Sequence, residues 1–126
     1  MSFQAITGPG VPATKLPFSP AVRAGGFVFV SGQVSTDAEG NLLLDTFESE
    51  MRRTMDNLQR ILAAAGLDLS HVVQVRGYLN EHSDWAEYDR LYREYFREPF
   101  PARTTIVRCL GRVKVEIDCV AYAGER

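Results

Sequence analysis

Phe47, Met51, Met55, Leu58, Leu62 and Ala65 recur at three- and four-residue spacing, with charged and amide side chains between them. That period predicts an amphipathic helix. Asp45, with Glu48 three residues later, is the expected N-cap and capping-box pair, and Gly66 supplies the stop. Trp85, Tyr88, Leu91, Tyr92, Tyr95 and Phe96 make a second apolar stripe, opened by Asp84 with Glu87 and closed by Pro99. Strand-like runs surround the helices. They span Gly26–Val34, a short return at Asn41–Leu44 after the turn residues Asp37–Gly40, and Val72–Leu79. Residues 1 to 20, with Pro9, Pro12, Pro17 and Pro20, read as a looped lead-in.

The last quarter reads as a β-hairpin turning through Leu110-Gly111-Arg112-Val113. With Gly111 and Arg112 as a two-residue turn, Ile106 faces Ile117, Arg108 faces Val115 and Thr104 faces Cys119. One face is then mostly apolar, and the other carries Arg103, Thr105, Val107, Lys114, Glu116 and Asp118. The order β-β-α-β-α-β-β implies an α+β fold with two helices packed on one face of a mixed β-sheet. The opposite sheet face must be solvated or buried in an oligomer.

Composition narrows the function. The 126 residues are 45% hydrophobic, enough for one compact domain spanning 1–126 and too few for two. Lys and Arg number 14 against 16 Asp and Glu, a net charge of −2 with the signs interspersed. There is no basic stripe to neutralise phosphates, so nucleic acid is not an expected partner. No apolar run approaches the ~20 residues of a membrane span, and no secretory signal opens the chain. The two cysteines, Cys109 and Cys119, are not opposite one another in the hairpin register, so they read as reduced thiols of a cytoplasmic protein. Two histidines and two cysteines without ligand-like spacing argue against a metal site.

Candidate chemistry lies on the polar face of the hairpin. A guanidinium on a rigid strand, Arg103, can grip a carboxylate through two parallel hydrogen bonds. Glu116 can deprotonate a water or pass a proton to a departing nitrogen. A protonated imine, already electrophilic at carbon, needs little more than that. Arg103 and Glu116 can equally form a cross-strand or intersubunit ion pair with a purely structural role, the commoner outcome in an arbitrary hairpin. Gly32 lets a ligand approach the main chain, or is simply a tight-backbone glycine. Ser31 has no evident histidine partner and reads as a strand terminus, not a nucleophile.

These residues also stand in a recognisable order. Pro17-Phe18-Ser19-Pro20-Ala21-Val22, Val30-Ser31-Gly32-Gln33, Ala64-Ala65-Gly66-Leu67, Leu91-Tyr92-Arg93-Glu94-Tyr95-Phe96, Pro101-Ala102-Arg103 and Val115-Glu116-Ile117 together resemble the reactive intermediate deaminase family, also called Rid or YjgF-like and formerly L-PSP endoribonuclease. The resemblance covers nearly the whole chain. It implies a chorismate-mutase-like fold assembled as a barrel-like homotrimer, with a cleft at each subunit interface. It implies hydrolysis of reactive enamines and imines, of the 2-aminoacrylate and 2-iminopropionate type, to 2-keto acids and ammonia, without a cofactor. It places the substrate carboxylate on Arg103, the activated water near Glu116, and Gly32, Phe18, Thr105 and Asp89 around them.

Three of those positions depart from the best-studied branch of the family. Phe18 stands where that branch has Tyr, keeping the ring and losing the hydroxyl. Thr105 replaces Cys, and Asp89 replaces Asn. A carboxylate at Asp89 would favour an amino or protonated imine group, so larger or cationic imino acids become candidate substrates. A ligand-binding or regulatory trimer without turnover and an aminomuconate-type deaminase remain alternatives. The acidic balance and the lack of paired histidines stand against ribonuclease activity.

Overall fold

In the computed structural model, which describes residues 2–12, 14–108 and 111–124, six strands form one mixed sheet and two helices cover one of its faces. The strands are β1 (Gln4–Ala5), β2 (Ala21–Ala24), β3 (Phe27–Gln33), β4 (Val72–Leu79), β5 (Ala102–Val107) and β6 (Val115–Tyr122). The helices are α1 (Phe47–Ala64) and α2 (Trp85–Tyr95). The sheet order is β1-β2-β3-β6-β4-β5. Met51, Met55, Leu58, Ile61 and Leu62 of α1 are buried against Val28, Val30, Val75, Ile117, Cys119 and Ala121, alternate residues of the central strands.

Both helices follow their apolar stripes, but their starts differ from expectation. The α1 cap is Thr46, whose hydroxyl accepts from the Ser49 amide at 3.2 Å. Asp45 is drawn away by a two-pronged ion pair with Arg53, at 2.7 and 3.0 Å. Gly66, at φ +78°, takes the left-handed turn after the helix. Asp84 caps α2 without a side-chain hydrogen bond. In α2, Tyr88, Leu91, Tyr92 and the following Phe96 are buried, while Trp85 and Tyr95 are only partly so.

Asn41–Leu44 does not form a return strand. A single bridge joins Thr36 to Leu42, and Asp37 Oδ1 accepts from the Glu39 and Asn41 amides, satisfying locally what a ladder would have used. The lead-in instead contributes β1, which pairs with β2 at the edge of the sheet.

The terminal hairpin is the main correction. Strands β5 and β6 do not pair; β4 lies between them, parallel to β5 and antiparallel to β6. The crossover through α2 makes β4–α2–β5 a parallel unit, which buries β4 on both edges and leaves β5 at the sheet edge. Leu110 of the expected turn, and Cys109 before it, lie outside the described residues. The register changes as well: Ile106 is level with Tyr78 and Glu116, whereas Arg103 is level with Val75 and Cys119. With a side-chain period of two, this one-residue change exchanges the faces of β5. Arg103, Thr105 and Val107 point toward the helices, while Glu116 and Asp118 point to the uncovered face.

That uncovered face is substantially apolar. Phe27, Phe29, Ile106 and Tyr122 each leave about two-fifths of their surface exposed there. Among the described residues, no helix is long and apolar enough to cross a membrane.

Candidate active site

The structure divides the expected site residues into two groups. Phe18, Gly32 and Glu116 meet on the open face; Arg103 and Asp89 meet at α2, with Thr105 on the same face of β5 as Arg103. Each group has its own cavity.

On the open face, the β3–β6 ladder breaks at one place. Val30 pairs with Cys119 and Gln33 with Ile117, so Ser31 and Gly32 together span a single residue of β6. Glu116 reaches across this bulge. A Cβ on Gly32 would overlap the Glu116 Oε2 and lie 3.0 Å from its Cδ, so the missing side chain is what lets the carboxylate lie on the backbone. The opening loop closes over the bulge: Ser31 Oγ donates to the Ser19 carbonyl at 2.7 Å, and the Ser31 amide to the Pro20 carbonyl at 2.9 Å. Phe18 thereby walls a cavity of about 320 Å³ together with Val30, Ser31, Gly32, Arg76, Glu116 and Asp118.

Electrostatics favour proton exchange at Glu116. Burial, and secondarily the neighbouring Asp118 carboxylate, raise its pKa above the usual glutamate value. Asp118 itself is tied on both oxygens, accepting from Arg76 Nε at 2.9 Å and from the Tyr78 hydroxyl at 2.8 Å.

Under α2, Arg103 is held from two directions. Its Nη1 donates to Asp89 Oδ1 at 2.8 Å, and its guanidinium lies 4.9 Å from the Tyr92 ring centroid and 5.3 Å from that of Tyr88. Tyr88 comes this close to the sheet because Gly77, on β4, has no side chain where the phenol sits. Beside Arg103 the Tyr88 and Tyr92 hydroxyls and Thr105 Oγ1 are buried without a hydrogen-bond partner among the described residues. Burial pushes the Tyr92 phenol up to about 12 despite the opposing pull of Arg103. A pocket of about 240 Å³, bounded by Asp89, Tyr92, Arg93, Phe100, Pro101 and Arg103, opens at this point. Larger cavities of about 510 and 530 Å³ run along other parts of the surface, but neither contains Glu116 or Arg103.

Arg103 and Glu116 therefore do not form the cross-strand ion pair that remained open from the sequence. They occupy opposite faces of one sheet. Lys114 is likewise absent from the polar row. Its ammonium lies 3.6 Å from Glu50, a fully buried α1 carboxylate that also accepts the Lys114 and Asp45 amides at 2.9 and 3.0 Å. Glu50 thus fixes the entry of β6 two residues before Glu116. Neither Glu50 nor Arg76 was identifiable from spacing. Glu50 falls on the apolar stripe of α1 as a polar exception, which was the available signal.

A profile of the family described as endoribonuclease L-PSP matches residues 10–123, nearly the whole chain. The chain belongs to this family. A RutC family protein of Pyrococcus horikoshii is 36% identical over 109 residues, covering 84% of this chain and 86% of that one. The chloroplastic Reactive Intermediate Deaminase A of Arabidopsis thaliana is 33% identical over 113 residues, covering 87% of this chain and 60% of the relative. The fold extends to the crystal structure of E. coli TdcF with bound serine, at a TM-score of 0.85 and 25% identity, covering 96% of this chain and 99% of that one. The two helices on a mixed sheet are thus the endoribonuclease L-PSP fold, and the TdcF structure that shares it holds a bound serine.

Proposed function

We propose that this chain is an enamine and imine deaminase acting as a homotrimer, with each cleft built from the open face of one subunit and the α2 edge of the next. The observation that carries this reading is the division of the site. A carboxylate-binding arginine and a proton-exchanging glutamate each line a cavity, and they face opposite ways on the same sheet. Neither cavity alone offers both groups, whereas a neighbour's α2 edge brought to the open face would complete one. The apolar side chains left on that face, Phe27, Phe29, Ile106 and Tyr122, support its burial by another copy.

In this cleft Arg103 holds the substrate carboxylate, with Asp89 and the two tyrosine rings keeping the guanidinium in place. The imine carbon lies by Glu116 and the Gly32 backbone, under Phe18. Glu116 takes a proton from water as the water oxygen bonds to the imine carbon, giving a carbinolamine. That proton passes to nitrogen, and Glu116 then accepts the carbinolamine hydroxyl proton as the C–N bond breaks and ammonia leaves a 2-keto acid. Water supplies the oxygen and two hydrogens, so no oxidant, reductant or cofactor enters the balance. Glu116 suits both proton transfers because its raised pKa narrows the gap to its partners.

One observation favours a second reading, a ligand-binding trimer without turnover: Phe18 offers a ring and no hydroxyl to the bound molecule. An aminomuconate-type deaminase would use the same groups on a different substrate. The deciding experiment generates imino acids in situ with an amino-acid oxidase, with semicarbazide as the competing trap. Wild type should suppress the semicarbazone. Arg103→Ala should lose about 100-fold in kcat/KM, as expected when a charged partner is removed, and Glu116→Gln should lose at least as much. Suppression by none of the three on any imine would leave the binding reading.

A further inference from the structure

Besides Arg103 on the other face, an arginine lines the Glu116 cavity itself, and its free end is unused. We propose that Arg76 is a second carboxylate-binding group of the cleft and directs it toward imino acids with an acidic side chain. This rests on the composite cleft described above.

Arg76 is on β4, opposite Asp118 of β6, on the open face. It is anchored by one edge only, through Nε to Asp118 Oδ1 at 2.9 Å. Asp118 is itself only 14% exposed at its side chain, and its other oxygen is taken by the Tyr78 hydroxyl at 2.8 Å. This β4–β6 network fixes the direction of the guanidinium and leaves both Nη groups of Arg76 without a partner among the described residues. The side chain is 55% exposed and borders the same cavity as Phe18, Gly32 and Glu116. An arginine held through Nε presents its Nη pair end-on, a geometry that accepts a carboxylate with two parallel hydrogen bonds.

The position on the cleft selects what Arg76 can meet. The α-carboxylate is gripped by Arg103 from the neighbouring subunit and the reacting carbon lies at Glu116. Arg76 is on Glu116's own wall, so it reaches the substrate side chain instead of the α-carboxylate. The Asp118 charge is offset by the Arg76 guanidinium bonded to it, and its other oxygen is taken by the Tyr78 hydroxyl. The Asp89 carboxylate, which from sequence favoured cationic substrates, is spent on Arg103 at 2.8 Å. The cationic donors left free at the cavity are thus the two Nη groups of Arg76.

Calorimetric titration of the assembled protein with 2-oxoglutarate and 2-oxobutyrate tests this without requiring turnover. Wild type should bind 2-oxoglutarate about 10-fold tighter, the discrimination expected of one added charge-assisted contact. Arg76→Met should remove that preference while leaving 2-oxobutyrate within about twofold, and Arg76→Lys should retain part of it. Equal affinities in wild type, undetectable binding of 2-oxoglutarate, or equal weakening of both ligands in Arg76→Met would overturn the assignment. If Arg76→Met fails to assemble, the Lys variant decides: full loss of preference with assembly intact is again contrary. The oxidase assay on glutamate- and alanine-derived imines separates the two proposals. Hydrolysis with no acidic preference removes only this inference. A 2-oxoglutarate preference without hydrolysis removes only the catalytic reading.

Discussion

Arg103 and Glu116 belong to the same sheet but are held in different ways. Arg103 is stacked on Tyr88 and Tyr92 and bonded to Asp89, so its orientation is established when α2 packs. Glu116 rests on the bare backbone of Gly32, with burial and Asp118 both disfavouring its charge. The first arrangement stabilises an ion and gives it a fixed direction. The second holds a carboxylate where burial and a neighbouring carboxylate favour its neutral form more than water does. A binding group needs the former and a proton carrier the latter, and this sheet separates them by using its two faces.

The contrast is broken most severely at Gly32. Its backbone does not require glycine, so Gly32→Ala should fold, yet the new methyl group occupies the Glu116 carboxylate's place. Displacement of a catalytic group by about 1 Å can cost about 100-fold. We expect that loss in kcat on imines, with thermal stability nearly unchanged; an unaltered kcat would separate Glu116 from the chemistry.

On the other wall the expected effect is smaller and opposite in sign. Asp89→Asn removes the competitor for Arg103 while preserving the side-chain shape. The KM for imino acids should fall by up to about fivefold, the range of a partly exposed ion pair. A rise in KM would mean that the Asp89 charge is needed to orient the guanidinium and that an amide of the same shape cannot replace it.

The smallest effect is on stability. Because the folded-state pKa of Glu116 is raised, proton binding favours the folded state at low pH, and that contribution is lost as pH rises through the folded value. At neutral pH the ionised group therefore costs stability. Glu116→Gln should raise Tm at pH 7 by roughly 1–3 °C, an effect of a few tenths of a kcal/mol. The gap should close as the pH falls below 4.5, the ordinary glutamate value. A lower Tm at pH 7 would contradict the direction of the shift.

The helices and β4 were legible because apolar residues recur with their period and Gly66 and Asp84 mark boundaries. The terminal hairpin was not. Adjacent strand-like runs suggest a tight turn, whereas the α2 crossover places β5 beside β4 in parallel and inserts β4 between the supposed arms. Residue types could therefore nominate Arg103 and Glu116, but the face each occupies depended on a nonlocal pairing. Arg76 was invisible for the same reason: its partner, Asp118, is 42 residues away along the chain. Glu50 stood out only as a polar residue on the apolar stripe of α1, and the two amides it bonds lie in loops whose approach the sequence does not show.

The claim that the cleft combines walls from two subunits has a direct test in mixed oligomers. Arg103→Ala and Glu116→Gln, each nearly inactive alone, would be co-refolded in equal amounts and assayed on a common imine. If each cleft draws one wall from each of two neighbours, random mixing leaves both walls intact in about one cleft in four. The account predicts recovery of about a quarter of the wild-type rate. A mixture no more active than either variant alone would contradict it.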